Sequence, residues 1–243
     1  MAIYYNGIKY DMLRLSIGDS IGGGGASVGA NVASAVSTPS AAGASIRFTG
    51  LFGEPTSFVV IAKSNLTTGA SPYKVASVVF DGTNIFGQYI TNTSNAQMTS
   101  SATAFTKQYS NGTLTVTASG ANFQANPYLL IYSYGGTSGV KTADVQVGSG
   151  ATQISFTGLS AEPKYFSCVF KSNFSTSSGY ARANAIVKNG VDISGLYMTS
   201  GDNASESAWT VTYSNGTLTI RSASTSNGGY FHQPGYYQLT YIE

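Results

Sequence analysis

The chain repeats itself once, and that repeat limits what it can fold into more than any other feature. Residues 46–68 (IRFTGLFGEPTSFVVIAKSNLTT) and 154–176 (ISFTGLSAEPKYFSCVFKSNFST) align without a gap at an offset of 108, with 12 of 23 positions identical. DGTNIFGQYIT (81–91) returns at the same offset as NGVDISGLYMT (189–199), and YSNGTLTV (109–116) returns at offset 104 as YSNGTLTI (213–220). A last block pairs NPYLLIYSY (126–134) with QPGYYQLTYIE (233–243). Four collinear blocks point to two homologous domains made by tandem duplication. Solenoid and propeller units run to about 20–50 residues, whereas a sandwich domain needs about 100, close to the period here. The reading divides the chain into an N-terminal segment (1–20), a Gly/Ala/Ser-rich linker (21–43), repeat 1 (44–138) and repeat 2 (139–243).

Inside a repeat the pattern is that of strands. Thr113-Leu114-Thr115-Val116-Thr117 puts Leu and Val on one face and Thr on the other, and Thr217-Leu218-Thr219-Ile220-Arg221 does the same. This is the period-2 signature of a strand with one wet face. Phe166, Cys168 and Phe170 share a face, as do Phe58, Val60 and Ala62. Further strands fit 75–80, 127–134, 143–147, 183–187, 209–213 and 236–242. Asp81-Gly82, Asn111-Gly112, Asn189-Gly190 and Asn215-Gly216 carry the φ > 0 chemistry of two-residue hairpins. No helical stripe is present, and Glu, Lys, Arg and Gln are scarce. The expected fold is all-β, two antiparallel sandwiches, Ig-like or jelly-roll-like.

Composition narrows the chemistry. Charged residues are 9% of 243, with 12 Lys+Arg against 10 Asp+Glu, one His and one Cys. Nucleic-acid binding calls for a basic stripe, and no such stripe exists. No apolar window is long enough for a membrane helix, and residues 1–20 lack the basic-then-apolar layout of a signal peptide. No metal site, cofactor site or catalytic group is expected. Cys168 stands where repeat 1 has Val60, the mark of a small buried residue. His232 has no counterpart in repeat 1. Glu54-Pro55 and Glu162-Pro163 recur but lie in different repeats, so they are read as turn residues capping backbone N–H groups. Lys63-Ser64-Asn65 and Lys171-Ser172-Asn173 are read as strand ends.

Two sets of residues are candidates for binding. Ile3, Tyr4, Tyr5, Ile8, Tyr10, Leu13 and Leu15, with Met12, make residues 1–20 too apolar to stand alone, and Ile3–Tyr10 reads as a hairpin around Asn6-Gly7. Gly22–Gly25 then act as a hinge. These apolar residues are read as a docking segment. The aromatics Trp209, Tyr230, Phe231, Tyr236 and Tyr237 form a candidate surface patch, as do Tyr128, Tyr132 and Tyr134; stacked rings of this kind hold sugars or partner proteins.

The opening Tyr4-Tyr5-Asn6-Gly7-Ile8 resembles the short Y-x-N-G-hydrophobic openings of small structural proteins of tailed bacteriophages. Low charge and abundant Gly, Ser, Thr and Asn add to that resemblance. It implies a non-enzymatic virion component of the capsid-decoration, head-fibre or tail-appendage type. The implied partners are capsid or tail proteins, a second and third copy of the chain, and a host-surface glycan, with assembly in the host cytoplasm. The alternative is a carbohydrate-binding module or surface adhesin.

Overall fold

A computed structural model describes residues 2–5, 8–11, 31–66, 73–92, 95–99, 103–136, 140–175, 182–190, 192–198, 202–205, 209–223, 230–231 and 234–242. Every regular element among them is a strand. At the N-terminus β1 (Ala2–Tyr5) and β2 (Ile8–Asp11) form an antiparallel hairpin, and β3 (Asn31–Ser37) follows. The first repeat continues through β4 (Ser45–Phe48), β5 (Ser57–Ala62), β6 (Tyr73–Phe80), β7 (Ile85–Asn92) and β8 (Asn95–Thr99). It ends with β9 (Phe105–Ser110), β10 (Thr113–Ala118), β11 (Ala121–Asn122) and β12 (Tyr128–Tyr134). The second comprises β13 (Val140–Val147), β14 (Gln153–Phe156), β15 (Tyr165–Phe170), β16 (Phe174–Ser175) and β17 (Arg182–Asn189). It closes with β18 (Asp192–Met198), β19 (Asp202–Ser205), β20 (Trp209–Ser214), β21 (Thr217–Ser222) and β22 (Gly235–Ile242).

The two repeats have the same topology. In the first, one sheet runs β3-β12-β5-β6-β7-β8 and a smaller one β4-β10-β9; in the second, the orders are β13-β22-β15-β17-β18-β19 and β14-β21-β20. Even the registers agree. Leu130 lies between Ala35 and Val60, and Leu239 between Ala143 and Cys168. A bulge falls at Ala76 in β6 and at the equivalent Asn184 in β17. The first strand of each repeat meets its last, and the second meets the penultimate long strand. This nesting departs from the ABED/CFG order of an immunoglobulin sandwich and is closer to a rolled double sheet.

The stretch 21–43 reads as a linker in sequence, yet Asn31–Ser37 is a full strand of repeat 1, paired with β12 over seven residues. Its small residues, NVASAVS, carry a strand pattern too weak to stand out beside the Gly-rich run. The tether reading therefore rests on residues 21–30, which lie outside the described residues.

Hairpin chemistry accounts for the tight turns. Asn111 and Asn215 have φ of 48° and 49°, followed by Gly112 and Gly216 at 71° and 72°. Two successive positive φ values make the type I′ turn whose twist matches the flanking strands. Asp81-Gly82 behaves differently. Phe80 pairs with Ile85, so the loop has four residues, and the Asp81 carboxylate accepts from the Thr83 and Asn84 N–H groups (2.9 and 2.7 Å). Asn189 is the last residue of β17 and pairs with Asp192, which shifts that turn by one position.

Each sandwich has its own interior. Ile46, Phe48, Leu114 and Val116 of the small sheet pack toward Phe58, Val60, Val78 and Leu130 of the large one; all are buried. In the second repeat Ile154, Phe156, Leu218 and Ile220 oppose Phe166, Cys168, Ile186 and Leu239. A sheet with one wet face would show alternation, but β5 is buried at all six positions and β15 and β17 nearly so. The second faces of the two large sheets cover one another. Ser77 Oγ donates to Asn184 Oδ1 (3.3 Å) and Asn189 Nδ2 donates to Ser34 Oγ (3.1 Å), both between repeats. The layers are thus small sheet, large sheet, large sheet, small sheet. β16 of repeat 2 also pairs with β8, extending the first large sheet with a piece of the second repeat.

Candidate binding surfaces

The aromatic residues of the second repeat come together, but mostly inside. Trp209 is 5% exposed, and Phe231 and Tyr237 are buried. Tyr197 and Tyr230 stack at 4.3 Å and 8°; Trp209 meets Tyr230 edge-on at 5.3 Å; Phe231 meets Tyr237 at 5.4 Å and 74°. The edge-to-face contacts are the geometry aromatic quadrupoles favour in a core. Of the five residues read as a surface patch, only Tyr236 is exposed, at 51%; Tyr230 is half-buried. The patch is a correction to the sequence reading: alternation along β20 and β22 turns Trp209 and Tyr237 inward. Tyr128 and Tyr132 are buried as well, and their hydroxyls are used locally. Tyr128 Oη donates to the Val75 carbonyl (2.9 Å), and Tyr132 Oη accepts from the Phe52 N–H (3.2 Å).

A sequence feature explains how Trp209 fits. Gly87 and Gly195 recur within IFGQY and ISGLY, and both lie on a strand under an aromatic ring from the small sheet. A Cβ on Gly87 would meet the Phe105 ring at 2.9 Å, and one on Gly195 would overlap the Trp209 indole. The glycines leave room for the ring against backbone, a known use of glycine within strands.

The other exposed aromatics among the described residues lie on the first repeat. Tyr73, 37% exposed, stacks on Tyr89 at 5.3 Å and 7°. Phe52, 50% exposed, stacks on Tyr134 at 5.7 Å and 26°. The sequence reading passed over Tyr73, Tyr89 and Phe52, which sit in no conspicuous aromatic run.

Where the large sheets meet, they leave a crevice with room for about three waters. Its lining pairs equivalent positions of the repeats: Val32 with Val140, Phe58 with Phe166, and Tyr132 with Tyr241. The repeats are therefore related across it by an approximate twofold.

The ionisable groups have structural settings. Glu54 faces Lys107 (3.8 Å) and Glu162 faces Lys188 (3.2 Å), so each recurring Glu-Pro carboxylate has an ammonium partner. Lys107 comes from β9 and also lies 4.4 Å above the Phe80 ring, whereas Lys188 of β17 occupies the position equivalent to Phe80. Lys171 lies near Asp144 (3.9 Å) and over the Phe86 ring of the other repeat (5.4 Å). Burial pushes the Cys168 thiol well above its ordinary value, which disfavours a thiolate. The Tyr237 phenol is also raised, first by burial and then by Cys168, with Arg182 acting the other way. Among the described residues no three His, Cys, Asp or Glu side chains gather as a metal cluster would. His232 lies outside the described residues.

Of the docking residues, Ile3, Tyr4, Tyr5, Ile8 and Tyr10 belong to β1 and β2, with Ile3 opposite Tyr10 and Tyr5 opposite Ile8. Leu13 and Leu15 lie outside the described residues.

The fold defines a class: a single-chain double β-sandwich whose two halves share one topology and pack through their large sheets. No protein-family model, curated protein or solved structure matches the chain.

Proposed function

We propose that the protein is a non-enzymatic structural component of a bacteriophage virion, anchored through its N-terminal hairpin and presenting the double sandwich outward. The observation that carries this reading is the β1–β2 hairpin. Among the described residues its strands pair only with each other. A lone two-stranded hairpin is marginal in water, and the apolar content of Ile3, Tyr4, Tyr5, Ile8 and Tyr10 suits a hairpin that completes its packing on a capsid or tail protein. The Gly-rich run after it supplies reach. The low charge and paired lysines of the body suit a passive module. Deleting residues 1–25 should leave a folded body with an unchanged β-type circular dichroism spectrum that no longer joins phage particles. Full incorporation of the truncated chain would refute the anchor. Mass spectrometry of particles gives the copy number, which distinguishes decoration protein, head fibre and tail appendage.

A second reading, a carbohydrate-binding module or adhesin, is favoured by one feature, the stacked Tyr73–Tyr89 pair with Tyr73 exposed at the surface of repeat 1. Flat aromatic faces stack on sugar rings through the same dispersion and quadrupole terms that pair aromatics. A glycan array probed with the wild type and Tyr73→Ala tests it; binding that persists in the variant, or none in either, removes this reading.

A further inference from the structure

The outer edge of β3 differs from its counterpart in a way that points to assembly. β3 is the last strand of the first large sheet, bonded to β12 on one side, and no strand among the described residues pairs its other side. Exposed edges are templates for strand addition, and proteins blunt them with charge, proline or bulges. The equivalent edge strand β13 (VKTADVQV) has Lys141 and Asp144, with Asp144 near Lys171. β3 (NVASAVS) has no charge, no proline and no bulge over seven residues. At the position equivalent to Asp144 stands Val36, 59% exposed, the most exposed large apolar side chain described.

Val36 is also the outer end of a row. Val36 pairs with Leu129, and Leu129 with Ile61. Ile61 and Leu129 are buried on the face that meets the second repeat. The apolar row therefore runs continuously from an established internal interface to an open edge.

We propose that two copies of the chain pair through antiparallel β3 strands across a dyad, continuing the first large sheet from one copy into the next. A second copy is the occupant the edge fits. Antiparallel self-pairing is isologous, so each copy offers the same edge, and a charge-free strand meets its own copy without like-charge repulsion. Val36 is covered in the pair. This interface is independent of the virion reading, since it is scored on the purified chain with no particle present.

The test is sedimentation equilibrium of the full chain and of Val36→Asp, which copies the residue of the equivalent edge. The expected result is a wild-type species of twice the 25.2 kDa chain mass and a Val36→Asp monomer that melts where the wild type does at dilutions at which it too is monomeric. The β3 amides that point away from β12 should lose hydrogen-exchange protection on dilution through the dimer–monomer transition. Val36→Lys is a second variant should Val36→Asp fail to fold, and it should also be monomeric. A wild-type monomer at about 100 μM, where even a weak interface of Kd near that value is half-filled, would overturn the proposal. So would a dimer that survives both substitutions, a trimer, or protection of the outward β3 amides that does not vary with concentration; the last would mean that the chain's own upstream residues cover the edge.

Discussion

Cys168 and Val60 occupy one position in the two repeats, both buried, each beside a leucine of the last strand. Cys168→Val should change stability at neutral pH by less than about 1.5 kcal/mol, as volume-conserving core swaps do, measured by urea denaturation. The pH dependence has a definite sign. The Cys168 thiol and Tyr237 phenol are raised in the folded state, so the fold holds their protons more tightly than the unfolded chain does. Their contribution is complete below the ordinary thiol value of 9.0 and falls as the pH climbs above it. Cys168→Val should reduce that alkaline loss without abolishing it, because Tyr237 remains. Gly195 has the opposite tolerance. Gly195→Ala should destabilise by about 1–3 kcal/mol through overpacking against Trp209. Trp209→Phe, which restores the ring found over Gly87, should recover part of the loss in a double-mutant cycle.

At the scale of elements, the repeats were legible because Asn-Gly turns and alternating Thr/Leu/Val runs are local signals, and they mark β9–β10 and β20–β21 correctly. β3 was not legible. Its residues are small, and it becomes a strand through its bonds to β12, nearly one hundred residues later in the chain. The aromatic patch was misplaced for a related reason: a run of aromatic letters around Tyr236-Tyr237 does not say which ring faces in, and alternation sends Tyr237 inward and Tyr236 outward. The turns yield a further expectation. Gly216 has φ of 72°, and an added Cβ would sit 3.0 Å from the Leu159 carbonyl oxygen. Gly216→Ala should cost at least about 1 kcal/mol, more than the strain-free Gly→Ala range in reverse, read from the shift in denaturation midpoint.

For the whole molecule, burial of the second faces of both large sheets couples the two halves. Trp209, the single tryptophan, reports on repeat 2 alone. Val60→Ala removes buried methyl groups from repeat 1 and should lower stability by about 1–3 kcal/mol. The Trp209 fluorescence transition should move with it, and calorimetry should show one transition. A fluorescence transition that stays in place would mean that the halves unfold independently.

The approximate twofold between the repeats has a consequence for specialisation. In a dimer of identical chains every surface feature exists twice and cannot be altered on one side only. Here one chain supplies both sides, so the partners are free to part company. An apolar Val36 faces outward where the other side has Asp144, and Phe52 is exposed where the other side has Ser160. Joining the halves keeps the economy of a symmetric interior and gives the exterior a front and a back.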